Sequence, residues 1–452
     1  MTEHASIRRQ IVALALPASA EAVLQICFSF VDQVVIARLG NASLAAVGLI
    51  GHMTFLSGII LGALSATASI LVAQHYGRHD GPGVARTVGA TVQLALLITV
   101  PLAVVVAAFA APILTLMGVE PAVVEAGAPF LRVIAVTVPL SLVGSVAASA
   151  LRSLGDARTP MVVTLLCVAT NTVLNFVLVF GWGPVPAIGV MGAAYATLAA
   201  QVLRSVLMVR AMAGARRNVP FRFSDFARTD ASMIGRICRL TWPIALTEVV
   251  WSLGSFLYTL ITIELGTVVI AANQVVVTTE AIFVMASSGL SAAALTLIGQ
   301  AIGADDEPRL RRTASQLVKI GLTSAAGFGL LTAATSGLLG VFFREISPEA
   351  LHLARVGLVL NAVFQWVKVM NMVLGNGVLR AGGDNRFVLV ADVTSIFVFG
   401  LPIAFFVVRF TSLGLIGVLV AKLLEEGSRV LMFAIRYRSA KWRKRYVEAP
   451  VH

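Results

Sequence analysis

In this chain of 452 residues, 58% are hydrophobic and only 12% are charged. That composition excludes an ordinary soluble enzyme or binding domain, in which roughly 25% of the residues are charged. Together with the mean hydropathy of +0.91, it predicts an integral membrane protein. The net charge of +12 does not indicate nucleic-acid binding, because Arg and Lys lie in short links between apolar runs, as membrane topology requires.

Twelve apolar segments follow one another, and each is long enough to span a bilayer as a helix. They cover residues 10–37, 43–74, 86–116, 122–152, 159–181, 188–212, 236–263, 270–302, 311–343, 349–380, 386–409 and 413–438. The only long polar link, 213–235, divides a predicted N-lobe (1–212) from a predicted C-lobe (236–438), and a basic tail (439–452) follows. The predicted fold is therefore all-α, with twelve transmembrane helices in two lobes around a central cavity.

The links between segments alternate in charge. Arg78, Arg158 and Arg309 lie in links rich in Arg, whereas the alternate loops carry few basic residues. The positive-inside rule then places both termini and the central link in the cytoplasm. We expect a multi-pass protein of the plasma (inner) membrane. Its first apolar run is too long for a signal-peptide core and should remain as the first helix.

The two halves of the chain are repeats. At an offset of 226 residues, Pro17 matches Pro243 and Gly40 matches Gly266, with further matches along both halves. Because each half contains six segments, the second half enters the membrane from the same side as the first. Parallel repeats of this kind place a transport site between two helical bundles in many carriers.

The first segment carries an acid, Asp32, deep inside the apolar run. A carboxylate at membrane depth costs about 3 kcal/mol or more, which makes it a functional candidate. Withdrawal from water disfavours a charged carboxylate, so such a group suits a proton-coupled carrier. The alternative is an acid near the outer end that pairs with Arg38. The repeat counterpart of Asp32 is Tyr258, so the halves differ here.

Two prolines and several amides accompany this acid. Pro17 and Pro243 each remove a helix hydrogen bond and should bend their helices, unless they lie in the first turn, where proline is tolerated. Asn171 and Asn175 are one turn apart and share a helix face. They could bind a cation or Asp32, or they could only join helices through hydrogen bonds. On the sixth segment, Thr197 and Gln201 are weaker candidates. Glu21, one turn after Pro17, should face a cytoplasmic vestibule.

The second half contains charges of its own within apolar segments, among them Glu248, Glu280 and Lys368. Lys368 lies well inside its segment and needs an acid, for which Glu248 and Glu280 are the candidates. The pair could be structural or could couple an ion.

Aromatic and sulfur side chains at similar depths could line a cavity for flat lipophilic cations, or could be ordinary core and lipid contacts. These are Phe28, Met53, Phe55, Trp251, Tyr258, Phe283 and Met285.

No Walker A loop, HExxH motif, nucleophile elbow or Cys/His cluster occurs in the sequence. We therefore expect no enzyme activity, no metal and no cofactor, and an ion gradient as the energy source. A membrane-embedded enzyme would need a nucleophile with its base, or metal ligands, at membrane depth.

Several stretches together resemble the multidrug and toxic compound extrusion (MATE) family. They are FVDQVVIARLGNASLAAVG, ALRSLGDARTP, NTVLNFVLVFG, GVMGAAYATL and TLIGQAIGADDEPRLRR. LTWPIALTEVVWSLGSFLYT and GQAIGADD look more like its DinF-type branch than its NorM-type branch. In DinF-type relatives the acid of helix 1 binds a proton or sodium and the preceding proline bends the helix, which implies these roles for Asp32 and Pro17. Those relatives often have Asn-x-x-x-Asp in helix 5, whereas this chain has Asn171-x-x-x-Asn175.

The resemblance implies a secondary antiporter that exports organic, often cationic, drugs or metabolites in exchange for H+ or Na+. Asp32 would bind the ion, with Asn171, Asn175 and Thr197 assisting. The expected partners are a small organic substrate and membrane lipid, with no nucleic acid, and the protein should be a monomer. A flippase for lipid-linked or polysaccharide substrates has a related fold and remains an alternative, which would require a wide cationic cavity.

Overall fold

The computed structural model describes residues 2–215, 224, 231–342 and 346–446. The described chain is almost entirely helical, with a single β-bridge between Trp182 and Val185. Its α-helices are α1 (Thr2–Ala37), α2 (Asn41–Gly77), α3 (Gly81–Ala108), α4 (Ala110–Leu116), α5 (Pro121–Ser153), α6 (Arg158–Phe180), α7 (Val190–Gly214), α8 (Ala231–Ile263), α9 (Thr267–Gly303), α10 (Glu307–Phe342), α11 (Pro348–Val363), α12 (Gln365–Met370), α13 (Asn385–Val393), α14 (Leu401–Phe410) and α15 (Gly414–Arg438). Two π-helical segments, Asn371–Leu379 and Thr394–Gly400, follow α12 and α13 directly.

Within the described residues, ten helices are long and apolar enough to cross a membrane. An eleventh span results if the pair Pro348–Val363 and Gln365–Leu379, bent by 52°, counts as one. The twelfth predicted segment is also a helix, α15, but it is not among these ten, because Lys422, Glu425, Glu426 and Arg429 lie in its middle. The predicted all-α membrane fold is confirmed. Two predicted segments are interrupted, 86–116 after Ala108 and 349–380 after Val363.

Contacts divide the chain into two compact units. One comprises Ala20–Thr241, the N unit, and the other comprises Met1–Ser19 with Trp242–His452, the C unit. The boundaries therefore fall inside α1, shortly after Pro17, and inside α8, directly before Pro243. Both helices continue through their prolines. The lobes predicted from sequence, 1–212 and 236–438, use different boundaries and stay a prediction.

The repeat is visible in the local backbone of both units. Gly40 before α2 and Gly266 before α9 have φ values of 102° and 90°, a conformation that glycine adopts without a steric penalty. Asp80 and Asp306, which are also 226 residues apart, both accept a backbone N–H at the start of the next helix. The distances are 2.8 Å from Gly83 N and 2.9 Å from Arg309 N. These are ordinary N-terminal caps.

A second pair of repeat-related aspartates has diverged. Asp156 accepts hydrogen bonds from the backbone N–H of Thr159 at 3.0 Å and from its hydroxyl at 2.6 Å, and so caps α6. Its counterpart Asp384 is buried and forms ion pairs with Arg436 at 2.6 Å and Lys444 at 2.7 Å. The second half therefore uses this carboxylate to bind residues that follow α15.

Residues 440–446 form a docked segment, which we call the C-terminal clasp. Trp442 is fully buried and donates from Nε1 to the carbonyl oxygen of Tyr437 at 3.0 Å. Lys444 N donates to the carbonyl oxygen of Gly382 at 3.2 Å, and Arg445 pairs with Asp305 at 2.5 Å. The predicted basic tail is thus ordered where it is described, and residues 447–452 lie outside the described part.

Helix α5 lies at the centre of the N unit, where it packs against α2, α3 and α7, while α6 packs against α7. An apolar cluster that includes Ile36, Ile50, Leu114, Leu131 and Ile134 fills the space between these helices. This packing fixes α1, α6 and α7 beside one another and so determines which of their polar faces meet.

Candidate functional site

The N unit contains a cavity of about 880 Å³ between α1, α2, α5, α6 and α7. Its wall is mainly apolar, and it includes the aromatic rings of Phe28 and Phe130. Among the described lining residues, the charged side chains are Asp32 of α1 and Arg204 of α7. A largely apolar cavity of this size with a few convergent polar groups is typical of a small-molecule site.

Asp32 is held by neutral side chains from two other helices. Asn175 Nδ2 donates to Asp32 Oδ1 at 2.6 Å, and Thr197 Oγ1 donates to Oδ2 at 3.4 Å. Behind them, Asn175 Nδ2 also donates to Asn171 Oδ1 at 3.1 Å, and Asn171 Nδ2 donates to Thr197 Oγ1 at 3.5 Å. The structure thus brings together all four residues singled out for ion coupling. Their role in coupling stays a prediction.

The local sequence explains this arrangement. Asn171 and Asn175 are one helical turn apart, so both amides project from one face of α6, and both are fully buried. Buried amides need partners, which α1 and α7 supply. The described residues show no ion pair between Asp32 and Arg38, which is exposed. The carboxylate is therefore bound by dipoles and not by a cation.

A carboxylate surrounded by neutral donors can exchange a proton or a small cation without breaking a salt bridge. Oxygen ligands for a cation are also at hand, since hard cations prefer carboxylate and amide oxygens. Asn175 Oδ1 is buried and has no hydrogen-bond partner among the described residues. Rotation of this amide would present the oxygen to an ion at Asp32.

The far end of the cavity differs from the prediction. Glu21 does not face a vestibule, because it is buried and accepts from Arg152 Nη1 at 2.6 Å and from Thr164 Oγ1 at 3.4 Å. A buried carboxylate is stable only when it is paired. Arg204 Nη2 lies 3.8 Å from the other oxygen of Glu21. Sequence reasoning missed Arg204, although Thr197, Gln201 and Arg204 form one stripe along α7.

In the C unit, Lys368 Nζ contacts Glu280 Oε1 at 2.5 Å and Asn361 Oδ1 at 2.9 Å. Of the two acids predicted as partners of Lys368, the structure therefore selects Glu280. Glu248 lies 3.7 Å from Arg380 instead. The three residues of this predicted set thus belong to two separate ion pairs.

The sequence did not predict that a second group of polar and charged side chains of the C unit lies together. Arg429 Nη2 contacts Glu425 Oε1 at 2.7 Å, and Arg429 Nε contacts Asp392 Oδ1 at 2.9 Å. Tyr258 Oη donates to Glu425 Oε2 at 2.7 Å, and Lys422 Nζ lies 5.1 Å from the centre of the Tyr258 ring. We call these five residues the C-unit charge network.

The aromatic and sulfur side chains predicted to line a cavity are not gathered in this one. Phe28 lines it, whereas Tyr258 belongs to the charge network. Trp251 and Met285 are exposed in the C unit. Phe283 packs against Phe328 with ring centroids 6.3 Å apart. The side chains of Met53 and Phe55 lie outside the described residues, and the described residues contain no cluster suited to a metal ion.

Comparison with known proteins identifies relatives of the whole chain. The sequence model of the MatE family matches residues 17–177 and 243–406. A probable multidrug resistance protein NorM of Thermotoga maritima is 26% identical and covers 98% of this chain and 95% of its own. The multidrug resistance protein NorM of Burkholderia vietnamiensis is 28% identical over 89% and 87% of the two chains.

Solved structures share the fold. A crystal structure of MATE in complex with MaL6 superimposes with a TM-score of 0.86 at 22% identity, and it covers 97% of both chains. The outward-facing conformation of a multidrug resistance MATE family transporter of the MOP superfamily gives 0.85 at 22% identity, again over 97% of both chains. The helical architecture described above is therefore the two-lobe, twelve-helix fold of these transporters.

Proposed function

This chain belongs to the MatE family of membrane transporters, and from that membership we propose that it is a secondary antiporter that exports organic, often cationic, compounds. It is a transporter and not an enzyme. The energy for export would come from inward flow of protons or sodium ions. The relatives named above are multidrug resistance proteins, which supports drugs or similar xenobiotics as substrates.

One observation carries the proposal. Asp32 borders the cavity of the N unit and is bound only by neutral donors among the described residues. A bound ion and a cationic substrate can therefore each stabilise this carboxylate in its mainly apolar surroundings, so that binding of one reduces the gain from binding the other. Antiport requires such competition, either directly at one carboxylate or through a conformation that both ligands bias.

Helix α1 supplies the conformational element of the proposal. Its residues up to Ser19 belong to one compact unit and the residues from Ala20 to the other. The first part is held by a hydrogen bond from Ser19 Oγ to the carbonyl oxygen of Ala286 at 2.5 Å. Pro17 lies just before the boundary, where a missing helix hydrogen bond lowers the resistance to bending. We propose that ion binding at Asp32 changes the bend at Pro17, with Pro243 in the corresponding role in α8.

The remaining parts of the proposal come from the sequence. We propose a plasma (inner) membrane protein with both termini in the cytoplasm, working as a monomer in contact with membrane lipid. Placement in the DinF-type branch rests on the LTWPIALTEVVWSLGSFLYT and GQAIGADD stretches, and the NorM names of the relatives do not resolve it. The flippase alternative requires a wide cationic cavity, whereas this lining has one basic residue among those described.

The test is transport of ethidium in proteoliposomes with an imposed pH gradient or an imposed sodium gradient. We expect gradient-driven ethidium movement with the wild type and at least a tenfold loss with Asp32→Asn, which keeps the shape of the side chain and removes the ionisable group. Asp80→Asn is the matched control, since it makes the same chemical change outside the membrane spans. The gradient that drives movement identifies the coupling ion.

Unchanged gradient-driven transport by Asp32→Asn, with the pH or sodium dependence of the wild type, would refute Asp32 as the coupling residue. Absence of gradient-driven movement in the wild type, with ethidium bound normally, would instead indicate that ethidium is a ligand but not a cargo. Repeating the assay with an uncharged probe then tests whether the cargo needs a positive charge.

A further inference from the structure

The end of the N-unit cavity away from Asp32 is formed by polar side chains of α5 and α7. Gln201 and Arg204 of α7 and Ser141 of α5 all line the cavity. Thr197, which contacts Asp32, precedes Arg204 by seven residues on α7. At 1.5 Å per residue these two positions are about 10 Å apart along the helix. The cavity therefore has a carboxylate near one end and a guanidinium at the other, and the described residues show no ion pair between the two.

Contacts with α5 hold Arg204 in place. Its Nη1 donates to Ser145 Oγ at 3.4 Å. The next residue of α7, Ser205, donates from Oγ to the carbonyl oxygen of Leu140 at 2.7 Å. Ser141 lies one helical turn before Ser145 and therefore on the same face of α5. The guanidinium is thus positioned by packed helices beside a face that carries two hydroxyl groups.

Arg204 retains hydrogen-bond donors for a ligand. A guanidinium has five N–H donors, and the bond to Ser145 is the only hydrogen bond that Arg204 forms among the described residues. Its Nε is buried without a partner there. Glu21 Oε1 lies 3.8 Å from Nη2, beyond hydrogen-bond distance, while the other oxygen of Glu21 contacts Arg152 at 2.6 Å. Because unmade hydrogen bonds of a buried charged group are costly, an acceptor in the cavity would stabilise Arg204.

We propose that Arg204 binds a carboxylate of the cargo, so that the cavity selects zwitterionic compounds. The cationic group of the cargo would lie toward Asp32 and its carboxylate toward Arg204. The planar guanidinium matches a carboxylate through two parallel hydrogen bonds, and the side chains of Gln201 and Ser141 can donate further ones. This inference rests on the proposed export function, and it specifies the chemical class of the cargo and the residue that recognises it.

The charges around the cavity favour a zwitterion over the two simpler classes. A purely anionic cargo would be repelled by ionised Asp32, and a phosphate would bring close to two negative charges against a single guanidinium that already has Glu21 nearby. A purely cationic cargo would leave the donors of Arg204 without an acceptor. A compound with one positive and one negative group satisfies both ends of the cavity and adds no net charge to it.

The expected effect is on the preference for a carboxylate over its ester. Hydrogen bonds between charged partners contribute roughly ten- to a hundredfold in affinity, and an ester lacks the negative charge. Arg204 also repels the cationic group of any cargo. This repulsion is the same for an acid and an ester that share one cationic group, so it cancels from the ratio of their Kd values.

The experiment measures equilibrium binding of tetramethylrhodamine and of its methyl ester to purified protein in detergent, by fluorescence anisotropy, with binding to empty micelles subtracted. The two dyes share one cationic ring system, and only the free acid carries a carboxylate. We expect the wild type to bind the acid more tightly, and Arg204→Gln to reduce the ratio of Kd(ester) to Kd(acid) by at least about tenfold. Arg210→Gln makes the same change at an exposed position of α7 and should leave the ratio unchanged.

Glu21→Gln provides a second variant with the opposite expected result. It removes the negative charge 3.8 Å from Arg204, which should favour the acid over the ester and increase the ratio. A merely structural role for Arg204 would not move Arg204→Gln and Glu21→Gln in opposite directions.

A wild type that binds the ester as tightly as the acid, or an unchanged ratio in Arg204→Gln, would overturn the inference. Should Arg204→Gln not fold, Glu21→Gln decides, and an unchanged or reduced ratio refutes the inference. The ratio is measured at equilibrium without a gradient and so does not depend on coupling. If Asp32→Asn transports ethidium normally, the proposed antiport mechanism fails, whereas the ratio still decides on Arg204.

Discussion

Asp32 in the N unit and Arg429 in the C unit are two charged side chains within apolar helices that have different surroundings. In the N unit, Asp32 is held by Asn175 and Thr197 beside a cavity of about 880 Å³. In the C unit, Arg429 is paired with Asp392 and Glu425 within packed protein. A carboxylate with neutral neighbours can give up or receive a cation, whereas a carboxylate paired with arginine loses that freedom. The surroundings of Asp32 are therefore compatible with the proposed ion exchange, whereas Arg429 and its two carboxylates form a fixed network of ion pairs.

The position where the repeats diverge shows the difference most clearly. Asp32 faces an open cavity, whereas its counterpart Tyr258 is buried and donates to Glu425 at 2.7 Å. The space beside Tyr258 is filled, because a Cβ added at Gly400 would collide with Tyr258 Oη and with Glu425. The two halves therefore share their helices at this position but differ in the side chains that these helices carry.

The C unit also departs from regular helix geometry where its charges lie. The π-helical segment Asn371–Leu379 begins with Asn371, whose Nδ2 donates to Glu426 Oε2 at 2.5 Å. The second π-helical segment carries Ser395, which accepts from Ser428 Oγ at 3.1 Å. The wider turn of a π-helix changes the direction in which the following side chains project, and it is less stable than a regular α-helical turn. Both segments thus direct polar groups toward α15, and the N unit shows no π-helical segment in its described residues.

The largest expected effect is on the free energy of unfolding, and it should differ between a buried arginine of the C unit and one of the N unit. Arg429→Met should leave Asp392 and Glu425 buried without their cation and lower the free energy of unfolding by about 3–5 kcal/mol. Arg204→Met should cost only about 1–2 kcal/mol, because Glu21 keeps Arg152. Thermal unfolding of both variants in the same detergent measures the difference. A cost for Arg204→Met equal to or above that of Arg429→Met would contradict the proposed contrast.

A second effect concerns the C-terminal clasp. Trp442→Ala should lower the free energy of unfolding by about 3 kcal/mol, since a large, fully buried aromatic side chain is lost. Trp182→Ala in the N unit is the matched control, because Trp182 is 72% exposed and should change stability by less than about 0.5 kcal/mol. Comparable melting temperatures for the two variants would show that the clasp does not stabilise the C unit.

The smallest effect compares the repeat-related caps Asp80 and Asp306. A hydrogen bond with His75 Nδ1 at 2.7 Å holds the pKa of Asp80 below its ordinary value of 3.8, whereas the position equivalent to His75 is Ala301. Asp80→Ala should cost about 1 kcal/mol near neutral pH, and Asp306→Ala should cost less.

The pH dependence of the Asp80 effect has a defined sign. A lowered folded-state pKa stabilises the protein above the ordinary value, and this contribution disappears as the pH falls through the folded-state pKa. The difference in melting temperature between wild type and Asp80→Ala should therefore shrink below about pH 4. A difference that grows on acidification would show that His75 does not stabilise the charged form of Asp80.

Much of the fold was predictable because membrane helices have strong sequence signals. Apolar runs located the helices, and the matches at Pro17, Gly40 and their counterparts revealed the repeat. Asp32 was recognisable because an acid is expensive in such a run, and Asn171 with Asn175 because their spacing places both on one face. The sequence also identified Glu280 as one of two candidate partners of Lys368.

The rest depended on contacts that no local pattern encodes. Arg204 approaches Glu21 although 183 positions of the chain separate the two residues. The burial of Glu21 depends in the same way on its contact with the distant Arg152. The divided helix α1 follows from packing and not from its own sequence. The aromatic residues predicted to share a cavity are separated because a ring suits a protein core and a lipid contact equally well, so their identity alone does not determine their position.

The clasp also bears on the order in which the C unit can be completed during synthesis. Asp384 is made 52 residues before Arg436 and 60 before Lys444, its two ion-pair partners. An unpaired carboxylate resists burial, so the turn that carries Asp384 should stay hydrated until both partners have emerged from the ribosome. The turn that carries Asp384 should then become resistant to proteolysis only after residue 444 has been synthesised. Its resistance would indicate that folding of the C unit is complete.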